Sequence, residues 1–240
     1  MKLENISIVM VGTTHPGNIG AAARAMSNMC IDNLVLVCPR CTVDETAYAR
    51  AAGASRILDQ CRTVESLEQA VQHCHLVIGA TARPRSLSWP ELSPANMAQK
   101  TWQLDNTSKV AVIFGREHSG LTNRELQLCN YMVRIPTNPD FSSLNVACAI
   151  QILCYEIYKY CSENSAGISQ TAGEPTATRF DIEGYFHHLE KVLIKIEFLD
   201  PDNPGLLLQR LRRLYQRVNL SKTEVNILRG ILNSVEQNSA

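Results

Sequence analysis

Short, continuously apolar runs alternate with helical periodicity through the first two thirds of the chain. Residues 5–11 (NISIVMV) and 33–37 (NLVLV) are apolar stretches bounded by turn residues, and residues 18–29 between them carry small and apolar side chains. Strand, helix and strand in that order predict a βαβ unit. Residues 65–74 (ESLEQAVQHC) repeat with a helical period, while 75–81 (HLVIGAT), 109–115 (KVAVIFG) and 131–135 (YMVRI) each read as a buried strand. Such strands, separated by helices, predict an α/β fold with a parallel sheet covered by helices on both faces. A long apolar helix over 144–161 closes this first domain, residues 1–161.

The pattern changes at residue 162. Residues 162–178 (SENSAGISQTAGEPTAT) are dominated by Ser, Thr, Ala, Gly and Pro without apolar periodicity, which predicts a linker. Beyond it the spacing is helical throughout. Ile182, Phe186, Leu189, Leu193 and Ile196 form one stripe, and Leu207, Leu211, Leu214 and Val218 form a second. Ser221 and Glu224 make a capping box that opens a third helix carrying Val225, Leu228, Leu232 and Val235. Residues 179–240 are therefore expected to form a small all-helical domain, which gains stability by packing on a neighbour.

Composition narrows the class. At 240 residues and 45% hydrophobic, the chain can bury a substantial core. No apolar run reaches the roughly 18 residues of a membrane helix, and the first residues lead into a strand without a cleavage site, so a cytoplasmic protein without a membrane partner is expected. Lys+Arg and Asp+Glu both number 23. A polyanion would therefore be held by local patches and not by the field of the whole chain. The nine cysteines lie largely in apolar segments, as reduced thiols do. Cys38 and Cys41 have dithiol spacing after a strand, and either a thioredoxin-like pair or ordinary loop cysteines would read this way. A zinc site would need further ligands, for which His73, Cys74 and His75 lack paired spacing, so no metal is expected.

The chemistry concentrates in three segments that follow strands. Residues 17–26 (GNIGAAARAM) suggest a phosphate loop, yet they lack the third glycine of the dinucleotide fingerprint and the Lys of a P-loop. What remains is Arg24, a lone charge on a helix of small residues. Around it, 14–26 (THPGNIGAAARAM) contains N-x-G-x-x-x-R at Asn18, Gly20 and Arg24. Residues 114–126 (FGREHSGLTNREL) contain F-G-x-E-x-x-G-L at Phe114, Gly115, Glu117, Gly120 and Leu121, and 136–149 (PTNPDFSSLNVACA) contain S-L-N at Ser143, Leu144 and Asn145. In open α/β sheets, ligands bind at the carboxyl ends of strands.

Together the three segments resemble the motifs of the SPOUT (α/β-knot) RNA methyltransferases, in particular the branch that methylates ribose 2′-hydroxyls. The added segment 80–92 (ATARPRSLSWPEL) and the helical extension bring the resemblance closest to bacterial tRNA (cytidine/uridine-2′-O)-methyltransferases. The resemblance implies a deep trefoil knot toward the C-terminal part of the sheet, S-adenosylmethionine as cofactor, and a pyrimidine of tRNA, residue 32 of the anticodon loop, as target. It implies a homodimer with the active site between subunits. It places catalytic roles on Arg24, Asn18, Glu117, Ser143 and Asn145, and cofactor contacts on Ala80, Thr81, Ala82, Gly115, Ile135, Ser142, Ser143 and Leu144.

Physical reading agrees with these demands. Glycines at 79, 115 and 120 would let backbone groups approach a cofactor, with Ile135 and Leu144 as apolar walls; tight turns would explain the same glycines. Ser143 would cap the helix behind it. A guanidinium remains protonated in proteins, so Arg24 is expected to stabilise a developing alkoxide, ahead of the general-base role that the resemblance also allows. Arg83, Arg85 and Trp89 share a Pro-rich loop that could clamp and stack RNA, or be plain surface. Arg210, Arg212, Arg213 and Arg217 form either a solvated helix face or contacts for RNA phosphates. Two other functions stay open: an RNA-binding knot protein without catalysis, and a thiol-redox protein built on Cys38 and Cys41.

Overall fold

A computed structural model describes residues 2–82, 89–164, 174–216 and 218–238. The chain forms two compact units, Met1–Thr171 and Ala172–Ala240.

In the first unit the elements run β1 (Ile6–Val11), α1 (Pro16–Ser27), β2 (Asn33–Val37), α2 (Glu45–Ala51), α3 (Ser55–Asp59), β3 (Arg62–Val64), α4 (Leu67–Val71) and β4 (Leu76–Ala80). After the undescribed residues 83–88 come β5 (Glu91–Leu92), α5 (Pro94–Trp102), β6 (Val110–Phe114), α6 (Asn123–Leu126), β7 (Tyr131–Val133) and α7 (Val146–Asn164). All strands pair in parallel, in the order β3-β2-β1-β6-β4-β7-β5.

Both faces of this sheet are covered, as the apolar runs require. Along β1, Ile6, Ile8 and Met10 enter one core with α1, α2, α5 and α7, while Val9 and Val11 enter another with α4 and α6. Successive strand residues point to opposite faces, so a continuously apolar strand feeds two cores at once.

Several boundaries differ from the sequence expectation, each for a local reason. Helix α1 starts at Pro16, two residues before the expected start, because His15 Nδ1 accepts from Gly17 N at 3.1 Å and proline suits the first helical position. Gly20 serves helix packing: a Cβ there would lie 2.0 Å from the Ala47 carbonyl oxygen of α2. Helix α7 begins at Val146, not 144, and its cap is Asn145 in place of Ser143. The Asn145 Oδ1 accepts from Ala147 N at 2.9 Å while its carbonyl accepts from Ala149 N. The short elements α2, α3, β3 and β5, and the helix α5, had no sequence expectation.

The second unit contains α8 (Arg179–Lys195), α9 (Leu207–Gln216) and α10 (Lys222–Asn238). Tyr185, Phe186, Leu189, Val192, Val225 and Leu232 form its buried core. Tyr185 meets Tyr215 edge-on at 5.2 Å. The expected stripe on α9 is rotated, with Leu211 and Tyr215 packing inward while Leu214 and Val218 face solvent. Residues 175–178 belong to this unit and not to a linker. Ala177 is buried and bonds the Leu220 carbonyl, and Thr178 caps α8 in a capping box with Asp181.

Candidate active site

Because β1, β6, β4 and β7 are adjacent and parallel, their carboxyl ends deliver four loops to one edge of the sheet. Each loop has a distinct local cause. After β6, Gly115 and Gly120 lie back to back: a Cβ on Gly115 would meet the Gly120 carbonyl carbon at 2.1 Å. Gly120 N donates to the Arg116 carbonyl at 2.8 Å, and Gly120 takes a φ of +68°. These two glycines are thus accounted for by a tight hairpin-like loop. Gly79 is explained by core packing, since a Cβ there would meet Cys129 Sγ at 2.9 Å, and it does not line the site.

Between the loops lies a cavity of about 380 Å³. Ala80, Thr81 and Ala82 line it from the β4 loop, Gly115, Arg116, Glu117 and His118 from the β6 loop, and Ile135, Thr137, Ser142, Ser143, Leu144 and Asn145 from the β7 loop. Every residue expected to touch a cofactor is on this wall. The volume falls in the range of small-molecule sites, and the mixture of apolar walls with hydroxyl and backbone groups suits a ligand with an adenine and a charged end.

Three motif residues are joined by hydrogen bonds at the edge of this cavity. Asn145 Nδ2 donates to Asn18 Oδ1 at 3.0 Å, and Asn18 Nδ2 donates to Glu117 Oε1 at 3.0 Å. The Ala147 N–H feeds Asn145 Oδ1 at the other end. A helix N–H at one end and a carboxylate at the other fix the orientation of both amides. Thr14 completes the arrangement, its hydroxyl donating to Glu117 Oε2 at 3.2 Å and its N–H to Oε1 at 3.4 Å. Burial raises the Glu117 carboxyl, but the bonds from Asn18, from its own N–H and from Thr14 outweigh this and hold it below the usual carboxylate range.

A second clamp holds the β6 loop. Arg116 donates from both terminal nitrogens to Glu125 at 3.0 and 3.1 Å, and Glu125 also accepts from Thr122 N in the capping box of α6. Hydrogen bonding to Glu125 raises the Arg116 guanidinium further above its ordinary value. Thr14 and Arg116 were not among the expected site residues; threonine in a strand-end loop carries no distinctive pattern.

Other expected residues lie elsewhere. Arg24 is exposed on α1 and does not line the cavity. Arg83, Arg85 and Arg217 lie outside the described residues. Trp89 is a correction: it is 8% exposed, packed among Val77, Leu128 and Cys129, and donates to the Cys129 carbonyl at 3.4 Å. A buried indole offers no face to RNA. Arg212 is similarly engaged within its own unit, pairing with Glu183 at 2.8 Å and lying 4.4 Å over Phe186. Arg210 is exposed on α9, and Arg213 on the same helix is half-buried.

Cys38 and Cys41 are both free thiols, one exposed and one half-buried. Cys38 donates to the Glu65 carbonyl and Cys41 to that of Thr13, and burial first, then Glu117, raises the Cys41 thiol. Cys74 is buried, its thiol pushed up to about 11 by desolvation, and His75 Nδ1 accepts from Lys109 N.

Comparison with known proteins fits this geometry. Residues 5–155 match the SpoU rRNA Methylase family, and residues 180–240 match the C-terminal domain of the tRNA methyltransferase TrmJ. The chain belongs to the SpoU rRNA Methylase family. Among curated members, the tRNA (cytidine/uridine/adenosine-2′-O-)-methyltransferase TrmJ of Pseudomonas aeruginosa is 46% identical, covering 98% of this chain and 95% of that protein. The tRNA (cytidine/uridine-2′-O-)-methyltransferase TrmJ of Photorhabdus laumondii is 44% identical, covering 98% of each. Among solved SpoU-family structures, TrmJ from Z. mobilis superimposes with a TM-score of 0.82 at 32% identity, covering 96% of this chain and 98% of that one.

Proposed function

We propose that this protein transfers a methyl group from S-adenosylmethionine to the ribose 2′-hydroxyl of a pyrimidine in tRNA. The observation that carries this reading is the hydrogen-bonded line Glu117, Asn18, Asn145, which draws all three motifs to the rim of one cavity. High identity to TrmJ proteins over the whole length supports the substrate class. Position 32 of the anticodon loop is the target this reading favours.

Bound in the cavity, S-adenosylmethionine supplies a methyl already activated by its sulfonium. The chain's own work is then alignment and charge. Ala80, Thr81, Ala82, Gly115, Ile135, Ser142, Ser143 and Leu144 hold the cofactor. Asn145, fixed by its bond to Asn18, and Ser143 orient the ribose, while Glu117 keeps Asn18 in place. The acceptor oxygen would take the methyl as its bond to the sulfonium breaks and would release its proton to solvent water, and a protonated guanidinium would stabilise the charge that develops on that oxygen.

Arg24 supplies this guanidinium from the partner subunit of a homodimer. The exposure of Arg24, away from the cavity wall of its own chain, supports that arrangement. The same reading includes the deep trefoil knot, supported by the out-of-sequence strand order β6-β4-β7-β5. It also assigns residues 179–240 to a helical domain that contacts tRNA phosphates, with Arg210 exposed on α9. The cytoplasm, where tRNA is processed, is the expected compartment. Among the described residues no helix is long and apolar enough to cross a membrane.

The test is direct. Purified protein, S-adenosylmethionine labelled in its methyl group and total tRNA should give label in tRNA. No incorporation into any RNA would leave an RNA-binding protein without catalysis.

A further inference from the structure

We propose that Phe141 is the platform on which the base of the target nucleotide stacks during methyl transfer. This rests on the tRNA methyltransferase reading and deepens it. Phe141 is 78% exposed and stands next to Ser142 in the β7 loop, which forms one wall of the cavity. Isolated surface apolar residues are ordinary, so exposure alone decides nothing.

Two further observations do. First, the loop is fixed by its own bonds: Phe141 N donates to the Asn138 carbonyl at 3.0 Å, Asp140 N to Asn138 Oδ1 at 3.0 Å, and Thr137 Oγ1 to the Ser142 carbonyl at 3.4 Å. The segment that carries the exposed ring is therefore a closed turn beside the cavity wall. Second, Phe141 immediately precedes the cavity-lining residues Ser142, Ser143 and Leu144, and a ribose whose 2′-oxygen reaches the cavity would leave its base outside that wall.

Stacking also matches the chemistry of the substrate class. Every base has a π-face, so an aromatic platform holds cytosine and uracil alike without reading their edges. The relatives' names differ in this respect, one adding adenosine to cytidine and uridine. A platform that reads no base edge is compatible with both.

A two-by-two comparison tests the proposal. Wild type and Phe141→Ala are assayed on a tRNA transcript and on the same transcript with an abasic ribose at the methylated position; cofactor affinity and oligomeric state are measured for both proteins. If the ring stacks on the base, removing either partner lowers kcat/KM on the order of tenfold, and removing both costs no more than removing one. Phe141→Tyr should restore wild-type turnover. Losses that multiply, unchanged turnover in Phe141→Ala, or a loss confined to cofactor affinity or assembly would overturn the platform while leaving methyl transfer intact. A wild type that methylates no tRNA would overturn both readings.

Discussion

Asn145 donates to Asn18 at 3.0 Å across 127 positions of sequence, and that one bond ties the cap of α7 to the first turn of α1. Asn18 is the only member of the Glu117–Asn18–Asn145 line that both donates and accepts within it. Asn18→Ala should therefore release Asn145 and Glu117 together, lowering kcat about 10- to 100-fold for the loss of a charge-assisted bond expressed in the transition state. Asn18→Asp, nearly isosteric, sets a carboxylate against Glu117 and should be worse. Single-turnover methyl transfer, with circular dichroism to confirm folding, checks both.

Glu117 makes stability depend on acid. Its carboxyl is lowered in the folded state, because hydrogen bonds from Asn18 and Thr14 outweigh burial. A depressed carboxyl contributes stability above its unfolded pKa and loses it as pH falls through the folded value. The melting temperature of Glu117→Gln should accordingly lie below wild type at neutral pH. The gap should close as pH drops beneath the ordinary carboxylate range. A gap that widened on acidification would contradict the sign.

Gly115→Ala tests the tight loop. The new methyl would meet the Gly120 and Leu121 backbone at 2.1 and 2.3 Å, so the loop must open and drag the cavity wall with it. Overpacking of this kind costs about 1–3 kcal/mol. Denaturant unfolding should show that loss, and calorimetric titration should show S-adenosylmethionine affinity falling with it. Unchanged affinity would mean the loop does not hold the cofactor.

Subunit sharing can be read from complementation. Arg24→Ala and Asn145→Ala homodimers should each be nearly inactive. A heterodimer of the two would contain one intact site, with Asn145 from the first chain and Arg24 from the second. Activity at up to half the wild-type level should return after mixed refolding. Recovered heterodimer without activity would place Arg24 in its own chain's site.

The sheet was legible because β1, β2, β4, β6 and β7 are continuously apolar, the signature of strands buried on both faces. By contrast, β3 has two exposed side chains among its three residues, and β5 has only two residues, so neither leaves a periodic trace. The residues that the motif resemblance assigned to the cofactor all line the cavity, whereas Arg116, His118 and Thr137 line it without having carried an expectation. Thr14 was not legible: its bond to Glu117 spans 103 positions, and nothing local distinguishes this threonine. Trp89 misled because a tryptophan in a Pro-rich segment reads as surface, whereas Val77, Leu128 and Cys129 draw it into the core. The pairing of Arg212 with Glu183 was not legible either, because Glu183 lies on another helix.

The most direct measurement locates the transferred methyl chemically. An unmodified tRNA transcript is incubated with the protein and labelled S-adenosylmethionine, then digested with alkali. Alkaline cleavage needs a free 2′-hydroxyl, so a methylated ribose leaves an uncut dinucleotide. The expected result is label confined to one alkali-resistant dinucleotide with a pyrimidine on its 5′ side. Label in alkali-released mononucleotides would place the methyl on a base and contradict the account.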